Sequence, residues 1–323
     1  MAAPDITQEA PPALEAAGVT APPRRLDFIK HRNWFFGFSL LIIIPGIISM
    51  ITKGFLLGID FQGGTEFFIH FNGSPSLAAV STAAGPATTV EQTAAGDFVI
   101  RTSAIAPLQQ RQFEDQLASR LNLTIDQSRT QVNEVGPTIA SEIVTGGLIA
   151  IVVAALLILA YLSFRFRKVP GGFRAGFQFG GSALLALLHD IFLLTGVFSI
   201  LGAVLNLRIG EIDSFFLTAV LTVVGFSVHD TIVVFDRIRE NLIVSRRLSF
   251  EQVANLSIMQ TAARSIITSF TVVIVLLSLL LFGGDSLRGF ALALLIGIVS
   301  GTYSSIFNAT PLLAVWRRLQ PVT

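Results

Sequence analysis

Thr222-Val-Val-Gly-Phe-Ser-Val-His-Asp-Thr-Ile-Val-Val-Phe-Asp-Arg-Ile-Arg-Glu-Asn241 begins as an apolar helix of membrane type. Near its end it carries a histidine and a carboxylate, His229 and Asp230, and it then enters the charged segment Asp236 to Glu240. A charge inside a bilayer costs about 2.5–3.5 kcal/mol on insertion scales, so an ionisable residue there marks a functional site by default. The plainer reading is that Asp230 lies close enough to the interface to be hydrated and only ends the span. Val233, Val234 and Phe235 follow it, so apolar helix continues about one turn beyond the carboxylate.

Composition places the rest of the chain around this stretch. Of its 323 residues, 52% are hydrophobic and 13% charged, against about 25% charged in soluble domains. The chain is an α-helical membrane protein. Cysteine is absent, which removes disulfides, thiol nucleophiles and zinc-thiolate sites. A net charge of +1 argues against nucleic acid as a partner. The sequence has no phosphate-binding Gly-Lys-Ser/Thr loop and no His/carboxylate cluster at ligand spacing, so no enzyme chemistry, metal or cofactor is expected.

Residues 1–25 are rich in Ala, Pro and Glu and read as a disordered tail. They hold no apolar core of the kind a cleavable signal has. A span needs about 20 apolar residues, and six stretches qualify: 34–51, 143–164, 177–201, 215–235, 265–282 and 290–316, the last long enough to tilt or to pass beyond the membrane. Basic residues set the orientation. Arg24, Arg25, Lys30 and Arg32 precede the first span; Arg165, Arg167, Lys168 and Arg174 follow the second. Arg237, Arg239, Arg246, Arg247 and Arg264 follow the fourth, and Arg317 and Arg318 the sixth. Both termini are therefore expected in the cytoplasm. The expected division is a tail over 1–25, a first transmembrane helix over 26–52, an extracytoplasmic α+β domain over 53–141, a five-helix bundle over 142–318 and a short tail over 319–323.

The long loop reads as alternating strands and helices. Thr65-Glu-Phe-Phe-Ile-His-Phe71 is β-rich after a Gly-Gly pair. A short helix follows, with Ser74 as cap and Pro75 at the first position. Residues 87–93 and 98–102 form a hairpin around Ala95-Gly96-Asp97, 107–121 an amphipathic helix with Leu108, Phe113, Leu117 and Leu121 on one stripe, and 127–135 a last strand. The order βαββαβ predicts a ferredoxin-like sandwich. The sequon Asn122-Leu-Thr124 is read as chance. Between the fourth and fifth spans Ser249-Phe-Glu-Gln252 is a capping box, expected to open a separate cytoplasmic helix along the membrane face. Two glycine pairs, Gly176 with Gly180 and Gly297 with Gly301, have the spacing that lets membrane helices approach closely, or simply reflect the glycine content of such helices.

The third span carries a second dipeptide of the same kind, His189-Asp190. Histidine titrates near neutrality, and burial can raise a carboxylate toward it, so His189, Asp190, His229 and Asp230 together could relay protons. Equally, each could pair with a Ser, Thr or carbonyl of a neighbouring helix and hold the bundle together. Arg264, at the expected start of the fifth span, reads from its chemistry as a positive anchor that snorkels to the interface.

These motifs resemble one family. Leu57-Gly-Ile-Asp-Phe-Gln-Gly-Gly-Thr65 resembles the Asp-Phe-x-Gly-Gly motif of the SecD/SecF proteins, and Val135-Gly-Pro137 fits them too. Val228 to Asn241 is similar to the fourth-span signature of the SecF branch. Phe282-Gly-Gly284, Arg288-Gly-Phe-Ala-Leu-Ala-Leu-Leu-Ile-Gly297 and Gly301-Thr-Tyr-Ser-Ser305 resemble its last two spans. The resemblance implies an RND-type half that pairs with SecD beside the SecYEG translocon, with YidC and YajC as further partners. It implies a bacterial inner (plasma) membrane, and use of the proton gradient to draw unfolded polypeptide outward. It also implies a proton path through a fourth-span aspartate and an arginine before the fifth span, which match Asp230 and Arg264. The family usually has Asn before that aspartate, where this chain has His229. A stand-alone RND-type exporter of lipids or small molecules, and a scaffold without proton transfer, are the other readings.

Overall fold

The structure is a computed structural model that describes residues 27–93, 95–245 and 247–321. The stretch read as an N-terminal tail lies outside them. Among the described residues six helices are long and apolar enough to cross a membrane: Arg32–Thr52, Pro137–Arg165, Gly172–Val204, Ser214–Val244, Phe250–Phe282 and Leu287–Leu319. We refer to them as the first to sixth spans.

All six extend beyond the expected apolar stretches, most of all the fourth and fifth, where helix continues through charged segments that hydropathy alone excludes. The fourth runs unbroken from Ser214 to Val244, with Asp236, Arg237, Arg239 and Glu240 inside it. Local ion pairs support that end: Arg239 to Asp236 at 3.1 Å, Arg237 to Glu240 at 2.9 Å and Arg165 of the second span to Asp236 at 3.2 Å. The separate helix expected after Ser249 does not exist. The capping box is present, but it opens the fifth span itself, one helix from Phe250 to Phe282. No Gly, Pro or run of turn formers interrupts residues 250–282, so nothing stops the helix at Arg264.

Glycines set how closely the helices approach. A Cβ on Gly176 would stand 2.1 Å from the Ser163 carbonyl, and one on Gly180 3.0 Å from that of Leu159, so this pair seats the third span on the second. Gly297 and Gly301 lie against Val223 and Ser227 of the fourth span. A third contact has no four-residue signature: a Cβ on Gly46 would fall 2.7 Å from the Gly196 Cα, joining the first and third spans. In the sixth span a π turn, Ser305–Ala309, precedes Pro311. Proline cannot donate to the residue four before it, and its ring crowds that carbonyl; the wider turn accommodates both.

Between the first and second spans lies a compact α/β unit. β1 (Gly64–Ile69), β2 (Thr89–Gln92), β3 (Phe98–Thr102) and β4 (Gln131–Val135) form one sheet in the order β2-β3-β1-β4, all neighbours antiparallel. Helices Leu77–Ala84 and Pro107–Leu121 contribute Val80, Ala83, Leu117 and Phe113 to a core with Phe67, Ile69, Phe98 and Ile100. The first of these helices is capped by Ser76, whose Oγ accepts from the Ala79 N–H at 3.2 Å, and not by Ser74. Both serines precede an apolar run, and only Ser76 lies the right distance from the first helical residue. Glu66 and Arg101 face each other in the register on the side of the sheet away from that core.

Candidate functional site

The apolar helices bring two carboxylates into one hydroxyl-rich layer across the third to sixth spans. Asp190 is fully buried. Its Oδ1 accepts from Ser300 Oγ at 2.6 Å, and its Oδ2 from Ser227 Oγ and Ser304 Oγ, each at 2.6 Å. His189 Nδ1 lies 3.0 Å from Oδ1. Three hydroxyl donors from two neighbouring helices hold this carboxylate by short hydrogen bonds, the stronger type when the acceptor is ionised. Ser300 and Ser304 reach it together because residues four apart share a helix face.

Asp230 is also buried, with 3% of its surface exposed, but its surroundings differ. Both of its hydrogen bonds fall on Oδ2 and both are long: Thr302 Oγ1 at 3.3 Å and Ser269 Oγ at 3.5 Å. Those two hydroxyls lie 2.5 Å from each other, so each has an alternative partner. The sixth span thus serves both sites, with Ser300 and Ser304 turned to Asp190 and Thr302, between them, to Asp230. What distinguishes the carboxylates is hydrogen-bond supply: Asp190 is saturated by fixed donors, and Asp230 is loosely held.

The other expected residues are distributed unequally. His229 precedes Asp230 but is exposed, about 100° round the helix from it. Arg264 is exposed too; it lies within the fifth span, five residues before Ser269, and among the described residues no hydrogen bond or ion pair joins it to Asp230. His189 touches Asp190 and packs its ring 6.2 Å from that of Tyr303. The expectation named the carboxylates and offered Ser or Thr of a neighbouring helix as partners, as found, but did not say which hydroxyls. Ser300-x-Thr302-x-Ser304 in a membrane helix was the available signal, since polar side chains there tend to bond across helices.

A second polar site lies where the α/β unit meets the spans. Arg101 of β3 meets Glu66 at 2.8 Å and Glu211 at 2.5 Å, with Glu91 at 3.8 Å. Burial pushes Arg101 down, but these carboxylates outweigh it and its pKa ends raised; burial pushes Glu211 up from the ordinary carboxylate range, against the pull of Arg101. A cleft of about 740 Å³ opens beside this cluster, lined by Asp60, Glu134, Arg208 and Asp213 among others.

With this geometry in hand, the relatives are informative. The profile for the protein export membrane protein SecD/SecF, C-terminal region, matches residues 116–319, and that for the SecD/SecF GG motif matches residues 48–71. The protein translocase subunit SecF of Thermobaculum terrenum is 44% identical over 90% of this chain and 94% of its own length. That of Haemophilus influenzae is 36% identical over 91% and 87%. The crystal structure of SecDF, a translocon-associated membrane protein from Thermus thermophilus, superposes with a TM-score of 0.76 at 31% identity, covering 94% of this chain and 41% of that one. SecDF in its super-membrane-facing form gives a TM-score of 0.65 at 29% identity over 93% and 40%. By its sequence over nearly its whole length, and by its fold, the chain belongs to the SecD/SecF family of protein-export membrane proteins.

Proposed function

We propose that this chain is the SecF-type half of a SecD–SecF pair that spends the transmembrane proton gradient on moving unfolded polypeptide through the SecYEG translocon. The carrying observation is the buried Asp230, held by two long hydrogen bonds to one oxygen. A carboxylate so held can take up and release a proton without breaking a strong network, whereas Asp190 cannot. Asp230 is the exchanging group, Arg264 and His229 bias it through charge, and Asp190 with His189 orders the hydroxyls beside it. Arg264, exposed and on a flexible stem, can approach Asp230 or withdraw, and its approach favours the charged carboxylate.

The same reading places the chain in a bacterial inner membrane with both termini cytoplasmic, supported by the basic residues after the second, fourth and sixth spans. It divides the chain into a first transmembrane helix over 26–52, an extracytoplasmic unit over 53–141 and a five-helix bundle over 142–318. The strand order β2-β3-β1-β4 supports a ferredoxin-like sandwich for the outer unit. A SecD-type partner supplies the second six-span half, as the SecDF chains, of which this one matches about two fifths, suggest. YidC and YajC are further candidate partners. Subunits of this kind move a substrate without transforming it.

Asp230→Asn keeps size and hydrogen bonding but cannot titrate. We expect the variant to insert and to capture its partner normally, while export of a reporter preprotein no longer responds to the gradient. If Asp230→Asn exports as the parent does with a gradient present, Asp230 is structural.

A further inference from the structure

The Asp-Phe-x-Gly-Gly motif takes no part in the proton site, yet it occupies a definite place. It forms one short helical turn, Ile59–Gln62, between the end of the first span and β1. Asp60 Oδ2 accepts from the Ser214 N–H at 2.9 Å and from Ser214 Oγ at 2.5 Å. Ser214 is the first helical residue of the fourth span, and its orphan N–H is one that a helix leaves for an outside acceptor. The flanking contacts run the same way. Gly58 N–H donates to the Ile212 carbonyl at 2.9 Å and Ile212 N–H to that of Leu56 at 2.8 Å. Asp213 caps the helix through the Phe216 N–H at 2.8 Å.

The motif's glycines serve this juncture. A Cβ on Gly58 would lie 2.6 Å from Glu211 Oε1. Gly63 has φ +74°, and Gly64 has φ +143° with room for a Cβ only 2.6 Å from the Thr102 carbonyl, so neither position accepts a side chain without strain. The chain therefore turns from Asp60 into β1 within four residues, and β1 pairs with β3, whose Arg101 reaches Glu211 on the loop just before the fourth span. Two contacts, one from just before β1 and one from the β3 residue beside the start of β1, converge on the beginning of the fourth span. From Ser214 the fourth span continues without a break to Asp230, about 24 Å at 1.5 Å per residue.

We propose that Asp60 clamps the α/β unit to the first turn of the fourth span, so that the helix carrying Asp230 and the folded unit move as one piece, and that Asp60 is thereby a positioning residue for gradient-driven export. The clamp rests on the reading of Asp230 as the exchanging group. Without it, proton exchange at Asp230 would move a helix that slips against the unit it should drive.

A covalent substitute for the hydrogen bonds tests this, since the chain has no cysteine of its own. Asp60→Ala, the double variant Asp60→Cys with Ser214→Cys, Asp230→Asn and the parent are compared for reporter export with the gradient intact and collapsed by a protonophore. Abundance in the membrane is followed throughout. Asp60→Ala and the reduced double variant should lose the gradient-dependent part of export. Oxidation should cross-link the double variant and restore that part, and reductant should remove it again in the same cells. The clamp is overturned if Asp60→Ala or the reduced double variant responds to the gradient as the parent does. It is also overturned if the pair does not cross-link, or if it cross-links and export stays at the reduced level. Poor folding of Asp60→Ala leaves the reversible double variant to decide. Asp230→Asn separates the two ideas: if it still responds to the gradient, the proton reading fails; if it does not, and the Asp60 variants do, only the clamp fails.

Discussion

Two buried aspartates in one layer differ in what surrounds them, and the difference predicts opposite phenotypes. Asp190→Asn replaces one carboxyl oxygen by an NH2 group facing serine hydroxyls, so at least one donor loses its partner. A buried group left unsatisfied costs about 1–3 kcal/mol, and we expect a loss of that size in thermal or denaturant unfolding of the purified chain. Asp230→Asn should unfold as the parent does, because its amide oxygen can take the place of Oδ2 and accept from the same two hydroxyls. A reversal of that order in the unfolding curves would contradict the assignment. His229 is exposed on its helix, so His229→Asn removes no buried contact. That variant should keep its stability and its export, with any change confined to the pH profile of export. An inactive His229→Asn would mean that the imidazole itself is required.

At the scale of elements, close approach of helices depends on missing side chains. Gly176 packs its Cα against the Ser163 carbonyl, which is backbone and cannot step aside. Overpacking of this sort costs about 1–3 kcal/mol, so Gly176→Ala should lower the unfolding midpoint. Gly146, inside the second span, has open space where its Cβ would be. There the ordinary helix preference for alanine applies, worth about 1 kcal/mol, and Gly146→Ala should be neutral or stabilising in the same assay. Equal effects at the two sites would mean that the third and second spans do not pack as described. The glycine pairs were legible in the sequence as a spacing, but Gly46 and Gly196, which meet on different spans, were not. A pair of that kind has no separation that a one-dimensional pattern can register.

For the whole molecule, orientation is the property on which the transport reading most depends. Ser81 is exposed on the helix Leu77–Ala84 of the α/β unit, and the chain lacks cysteine. A Ser81→Cys chain should therefore react with a membrane-impermeant thiol reagent in intact cells. Labelling only after lysis would invert the topology, and proton entry would then have to be drawn from the other side. The α/β unit joins the spans through half-buried ion pairs and the Asp60 contacts, so the two parts of the chain share a boundary rather than a flexible tether.

Hydropathy, residue period and turn chemistry are local properties, and what depends on them was readable from the sequence alone. Six apolar stretches, the order of strands and helices in the inserted unit, the capping box at Ser249 and the presence of aspartates in the third and fourth spans all follow from neighbours in the chain. The ends of the helices did not, because a helix continues past its apolar stretch where nothing stops it, as the fifth span does from Arg264 back to Phe250. Nor did the distinction between Asp190 and Asp230. The hydroxyls that decide it come from 37, 110 and 114 residues away for Asp190, and from 39 and 72 for Asp230. Only the packing of four helices determines which carboxylate receives short, fixed donors and which is left loosely held. A hydrogen bond depends on distances in space, and spacing along the chain carries no record of them between helices.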